Sequence, residues 1–344
     1  IKSLTESLEK LGITLVLRTG ESIKNLEKLA KDTGAKGVYW NRRYEPMIRR
    51  RDDEIACQLR QAGLTVKTFK ASLLAEPEEI ENKSGLPFKV FTPFWKHCLK
   101  KINASTPLPA PQKVETPKVS LRTTELSELN LEPEQDWGHS MNEVWTPGER
   151  GAASALELFI NESFNDYAKI RNFPNTKGTS RLSPHLRFGE ISPRQIKHSL
   201  EQSGHAHWKE SHYLSEIGWR EFGYHLLYHF PHTVREPLRP QFNRFPWKED
   251  SLQLRSWQKG QTGYPLVDAG MRELWATGWM HNRVRMVVAS FLVKHLLIHW
   301  RHGADWFWDT LVDADLASNT QGWQWTAGSG ADAAPYFRIF NPTT

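Results

Sequence analysis

Cysteine is nearly absent. Cys57 and Cys98 are the only two, which excludes a disulfide scaffold and a four-cysteine zinc site. A reducing compartment is the default expectation. Long apolar runs are missing too. The most apolar stretch, Met286 to Trp300, contains Lys294, His295 and His299 and is too short and polar to span a bilayer. The opening Ile1-Lys2-Ser3-Leu4 is polar and helix-like and does not read as a signal peptide. A cytoplasmic protein is expected. Charge is not concentrated either: residues 1–150 hold 24 Lys and Arg against 21 Asp and Glu, and the remainder 21 against 18. A nucleic-acid surface would have to come from arrangement, not from the net +6.

Common chemical motifs are lacking. There is no GxxxxGK[ST] phosphate loop and no HExxH. Gly328-Ser329-Gly330 follows no clear strand and lacks a third glycine, so it is not a dinucleotide fingerprint. His225 and His229, like His295 and His299, stand at i, i+4, but neither pair has an acidic third ligand at metal-site spacing, and no zinc is expected. Asp313 and Asp315 are two apart and do not face each other on a helix, which argues against a paired-carboxylate hydrolase.

Tryptophan is abundant. Of 15, 11 follow residue 200 and seven fall between Trp275 and Trp325. A core gains little from tryptophan over Leu or Phe, because each indole N–H needs a partner. A large aromatic core and stacking on flat heterocycles, cofactor or bases, both remain open.

At 344 residues, two or three domains are expected. Residues 1–103 alternate helix and strand. Leu4, Leu8 and Leu11 share a helical face ended by Gly12, and Ile13–Leu17 reads as a buried strand. Ile23, Leu26, Leu29 and Ala30 form the next stripe, closed by Gly34. Val38-Tyr39-Trp40 and Leu64–Phe69 are further strands, with a helix over Asp52–Ala62 between them. This order implies a parallel, Rossmann-like sheet covered by helices. It begins on a helix, so a first strand is expected to be missing. Residues 104–149, with six prolines among Ser, Thr and Glu, read as a surface linker without regular period. Residues 150–344 read as all-helical. Leu156, Phe159, Ile160, Phe164 and Tyr167 mark one long helix. Ser192-Pro193 is an N-cap followed by proline at the first helical position, and Val284–Trp300 reads as a single buried helix.

Four segments carry chemistry. Gly178-Thr179-Ser180-Arg181-Leu182-Ser183-Pro184 clusters hydroxyls around an arginine at a loop entering a helix, which suits phosphate oxygens or simple capping. Glu216, Trp219 and Arg220 share a helical face, suited to a planar polar ligand or to an ordinary surface ion pair. Trp279–Met286 places Asn282, Arg285 and Met286 together, and a buried Arg285 needs a carboxylate. Asp313–Trp325 supplies Asp313, Asp315, Asn319, Trp323 and Trp325.

These segments resemble the DNA photolyase/cryptochrome family over nearly the whole chain. The carriers are residues 178–195 (GTSRLSPHLRFGEISPRQ), 219–222 (WREF), 262–286 (TGYPLVDAGMRELWATGWMHNRVRM) and 315–342 (DLASNTQGWQWTAGSGADAAPYFRIFNP), with 90–96 (VFTPFWK) at the end of the α/β domain. Within the family, MHNRVRM looks like the class I cyclobutane-pyrimidine-dimer photolyases. The resemblance implies an α/β domain, a long linker and a helical domain binding FAD. By motif, Tyr167, Thr179, Ser180, Arg181, Leu182 and Ser183 would hold the phosphates and ribityl chain. Glu216, Arg220, Asn282, Arg285, Asp313, Asp315 and Asn319 would line the rest, with Asn319 near the flavin N5. Light-driven electron transfer from excited reduced FAD to a pyrimidine dimer flipped out of DNA is the implied activity. Trp219 and Trp325 would pack on the dimer, Glu216 would hydrogen-bond it, and Asn282, Arg283 and Met286 would line the opening. Arg171 and Arg338 would contact phosphates. Trp323, Trp300 and Trp247 match an electron relay from surface to flavin. DNA is the implied partner, and a monomer without protein partners is expected.

Two departures matter. The family's opening WFRxDLR-like strand is absent and the chain stops at Asn341-Pro342-Thr343-Thr344, so a fragment truncated at both ends is expected. Trp40–Pro46 lies where an antenna pigment would sit, but Met47 and Ile48 stand where folate-binding members carry Asn-Glu. Methenyltetrahydrofolate, an 8-hydroxy-deazaflavin and an empty site stay open. Two rival readings stand beside repair. One is a cryptochrome-type FAD photoreceptor. The other is a cofactor-free binder of single-stranded nucleic acid.

Overall fold

The structure, a computed structural model, describes all residues except 103–105, 118, 334–336 and 344. In the N-terminal part, α1 (Lys2–Glu9), α2 (Ser22–Thr33), β1 (Gly37–Asn41), α3 (Pro46–Gln61), β2 (Thr65–Phe69) and α4 (Phe91–Lys101) follow in order. β1 and β2 pair in parallel, from Gly37 opposite Thr65 to Asn41 opposite Phe69. α2 ends where Gly34 adopts φ 68°, a left-handed cap that glycine takes without steric cost. Ile55, Ala56, Leu59 and Val66 form a small core under this sheet.

Ile13–Leu17 does not become a strand. A strand exists by pairing, and apolar content alone does not supply a neighbour. Its backbone turns to residues past 110 instead: Thr124 N donates to Leu17 O at 2.8 Å and Leu17 N donates to Thr123 Oγ1 at 2.9 Å. The proline-rich segment is also less bare than its sequence reads. It contains a short helix, α5 (His139–Val144), anchored by Trp145 Nε1 donating to Thr277 O at 2.8 Å.

The remainder is helical: α6 (Glu149–Glu162), α7 (Tyr167–Ile170), α8 (Ser183–Phe188), α9 (Pro193–Gln202), α10 (His212–His229), α11 (Ser251–Gln258), α12 (Pro265–Thr277), α13 (Asn282–Ser290), α14 (Trp300–Thr310) and α15 (Leu316–Ala327). Ser192 and Gln195 cap α9 with a reciprocal capping box, as the Ser-Pro signal indicates. Two expected helices are broken. The stripe from Leu156 to Tyr167 spans α6 and α7, because the chain turns at Ser163, whose Oγ donates to Lys177 O at 3.2 Å. Its rings still meet, with Phe159 5.4 Å from Tyr167. The stretch Val284–Trp300 leaves α13 through a π turn, Phe291–His295, then reverses at Leu297, where φ is 58°.

One buried cluster runs from Leu74 and Trp95 through Phe159 and Tyr213 to Ala331, so α4 and α10 share a core. Any side chain larger than hydrogen at Gly218 would stand 2.7 Å from the Trp95 ring. A second cluster packs α11–α15 around Trp257, Trp300 and Trp323. α10 is the hinge of the architecture: the Glu221 carboxylate accepts from Leu74 N at 2.8 Å and Ala75 N at 3.2 Å. Among the described residues, no helix is long and apolar enough to cross a membrane.

Candidate functional site: a cofactor cavity with a charged mouth

α7, α8, α10, α13 and α15 enclose a cavity of about 660 Å³, within the size range of small-molecule sites. Tyr167 and the run Thr179–Ser183 form one wall, and Glu216, Trp219 and Arg220 of α10 another. Asn282, Arg283, Arg285 and Met286 come from α13, and Asp313, Asp315, Asn319, Trp323 and Trp325 from the chain around α15. Local rules explain the placement. Asp315 caps α15 by accepting from Ser318 N at 2.8 Å, which points the helix start at the cavity. Arg181 takes φ 50°, an unusual conformation for a non-glycine residue, while Leu182 beside it is buried.

The half-buried Arg285 finds a buried carboxylate: Nη2 stands 2.9 Å from Asp313 Oδ2, and Nε donates to Met280 O at 2.7 Å. Asp313 and Gln321 also line the cavity, and Asp313 Oδ1 and Gln321 Nε2 are buried without a partner. Such orphans are costly unless a ligand satisfies them. Tyr224 donates to Asp315, and burial, reinforced by Asp315, raises the Tyr224 phenol. Asn319 Nδ2 donates to Ala304 O at 2.8 Å, which fixes its amide plane. The Arg181 guanidinium lies 4.3 Å over the Trp279 ring, beside the Thr179, Ser180 and Ser183 hydroxyls, a set suited to phosphate oxygens. Arg220 is differently engaged: it donates to Ser72 O at 2.5 Å and lies 3.8 Å from Glu221. It ties α10 to the N-terminal part while lining the cavity.

At the mouth, Arg171 pairs with Glu216. Trp219, still 38 % exposed, stacks one face on Phe91 at 3.8 Å. Trp325 stacks on Phe340 at 6.3 Å. Arg338 stands outside the cavity lining, with its guanidinium over Phe340 at 5.6 Å and its carbonyl accepting from Lys294 Nζ.

Comparison with known proteins decides the assignment. Residues 1–112 match the family model described as DNA photolyase, and residues 213–344 match the FAD binding domain of DNA photolyase. A deoxyribodipyrimidine photo-lyase of Agrobacterium fabrum is 48 % identical over 99 % of this chain and 72 % of its own length. The crystal structure of a bacterial class III photolyase from Agrobacterium tumefaciens superposes with TM-score 0.96 at 48 % identity, covering 99 % of this chain and 71 % of that one. Cryptochrome-1 of Arabidopsis thaliana is 38 % identical over 99 % of this chain and 52 % of its own length.

The chain belongs to the DNA photolyase/cryptochrome family.

It is an FAD-dependent photo-lyase by these relationships, and the donor set of the cavity fits the cofactor. The solved photolyase is described as class III, whereas the seven residues Met280–Met286 read alone resemble class I. Trp323 lines the cavity and shares a buried cluster with Trp300. Gly303 permits the approach of α14 to α15, since a Cβ there would stand 2.0 Å from the Trp323 ring. Trp247, half-buried, lies 5.0 Å from His299, which lies 5.5 Å from Trp300. Trp257 escaped the sequence reading; it is fully buried, 6.1 Å from Trp323, and donates to Val288 O. Arg187 was also missed; it lines the cavity and bridges to Glu45 at 3.6 Å. Trp257 sits in no pattern that spacing could flag, and Arg187 lies inside the 178–195 run without standing out in it.

A second cavity of about 290 Å³ is lined by Trp40, Arg42, Arg43, Tyr44 and Tyr228 among others. It covers much of the segment where an antenna pigment is expected, although Met47 and Ile48 do not line it. His225 is engaged by the fold: its Nε2 accepts from Phe88 N at 3.1 Å, and burial holds the imidazole down to about 3.

Proposed function

We propose that this photolyase repairs cyclobutane pyrimidine dimers in DNA under light, with the dimer flipped out of the duplex into the mouth of the FAD cavity. The observation that carries the reading is the convergence of Glu216, Trp219, Asn282, Arg283, Met286 and Trp325 on one opening of that cavity. The indoles offer faces to an unstacked dinucleotide, and Glu216 offers a hydrogen bond to its base edges. Arg171 and Arg283 lie where the flanking phosphates would pass. The cavity residues would hold reduced FAD, which would supply, under light, the electron for opening the cyclobutane ring. Arg285 and Asp313 would hold a fixed charge pair against that cofactor, and Asn319, its amide held by Ala304 O, would lie beside it. Trp323, Trp300 and Trp247 form the path by which oxidised FAD is re-reduced.

The same reading divides the chain into an α/β part at 1–103, a linker at 104–149 and the FAD domain at 150–344. It takes the protein as a cytoplasmic monomer, with methenyltetrahydrofolate or an 8-hydroxy-deazaflavin as candidate occupants of the second cavity. The test is an oligonucleotide bearing one thymine dimer, mixed with fully reduced protein in light and in darkness. Loss of the dimer in light alone supports repair. Survival of the dimer with fully reduced FAD would leave a cryptochrome-type photoreceptor as the better description.

A further inference from the structure

The mouth carries two arginines treated in opposite ways. Arg171 is matched by the Glu216 carboxylate, so its charge is cancelled locally. Arg283 is held by an amide: Nε and Nη2 both donate to Asn172 Oδ1, at 2.9 and 2.7 Å. The orientation of that amide is fixed by its other end, because Asn172 Nδ2 donates to Ala168 O at 3.2 Å and Lys169 O at 3.1 Å. The oxygen must therefore face the guanidinium. Arg283 makes no ion pair among the described residues, and its Nη1 rests against Met286 Sδ at 3.5 Å. An amide oxygen orients a guanidinium without neutralising it, whereas a carboxylate does both. Burial, then the neighbouring Arg171, lower the Arg283 guanidinium, and Glu216, which faces it without pairing, offsets this only in part.

We propose that Asn172 is a positioning residue that keeps Arg283 oriented and uncompensated, so that the guanidinium meets a phosphate of the lesion strand. The assignment rests on the DNA-repair reading. It joins residues 111 positions apart, the turn after α7 and the first turn of α13, across the rim of one cavity. The start of α13 adds the positive end of its dipole to the same point. An uncompensated charge there attracts the backbone of any DNA sequence.

The experiment measures Kd for a duplex with one thymine dimer and for its undamaged counterpart over a range of salt, using full-length FAD-loaded protein. Asn172→Asp keeps the shape and adds a carboxylate. Binding of both duplexes should weaken alike, and the slope of log affinity on log salt should become shallower by about 0.9, one phosphate's share. Asn172→Ala removes the orientation and keeps the charge, so affinity should fall with the slope retained. A parent-like slope in Asn172→Asp, or equal loss of slope in Asn172→Ala and Asn172→Asp, overturns the role of Asn172 while leaving the repair reading intact. A parent protein that binds neither duplex overturns both.

Discussion

Arg171 donates to the Glu216 carboxylate at the cavity between α7 and α10. Each partner has another task in the repair reading, Arg171 on a phosphate and Glu216 on a base. Lesion binding then exchanges one partner for another instead of burying a free charge, which limits the desolvation cost. Glu216→Gln should release Arg171 toward undamaged duplex, steepening the salt dependence of its binding by about 0.9. Salt-dependent Kd values for undamaged duplex check this, and identical slopes in variant and parent contradict it.

Trp323→Phe should slow photoreduction of oxidised FAD and spare repair by pre-reduced protein. The ring fits closely under Gly303, and the cavity left by a smaller aromatic there should cost about 1–3 kcal/mol of stability. Laser-flash absorption of the flavin reads the first effect. Equal photoreduction rates in variant and parent would remove Trp323 from the relay.

Asp313→Ala strands Arg285, whose partner lies 2.9 Å away. Breaking a buried pair costs more than the pair contributes, so unfolding free energy should drop by about 3 kcal/mol, and bound flavin should be lost. Asp313→Asn should lose less stability because an acceptor remains. Denaturant unfolding together with flavin content separates the two effects, and full stability in Asp313→Ala would contradict the pairing.

Two buried groups of α10 give stability an opposed pH dependence. Burial pushes Glu221 up to about 7, against Arg220 and two backbone N–H donors. A raised carboxyl favours the folded state most below its ordinary 4.5, and that contribution is lost as pH rises to about 7. His225, held down to about 3 by burial, acts the other way. Its contribution is present above 6.5 and lost as pH falls toward 3. Glu221→Gln should flatten the thermal midpoint between pH 4.5 and 7, and His225→Gln between 6.5 and 3. Unchanged profiles would show that neither group titrates with folding.

Much of the site was legible because its residues lie at helical spacing or in ordered motif runs. Glu216, Trp219 and Arg220 share a face of α10, and Ser192-Pro193 starts α9 by capping chemistry alone. The demand of Arg285 for a carboxylate is legible in the sequence from the cost of burying an unpaired guanidinium. What failed depended on distant partners. Ile13–Leu17 has strand composition and no ladder, and the apolar run through Val284–Trp300 gives no warning of the reversal at Leu297. The bonds of Glu221 to Leu74 and Ala75, and of Asn172 to Arg283, join positions more than a hundred residues apart. No local period encodes them.

The central claim is that residues between Tyr167 and Trp325 enclose FAD beside a slot for one lesion. Flavin released from the purified protein by denaturation, measured by its visible absorption against protein concentration, tests it most directly. The account predicts about one FAD per chain, falling sharply in Asp313→Ala. Colourless, folded protein that takes up no flavin on reconstitution would contradict it.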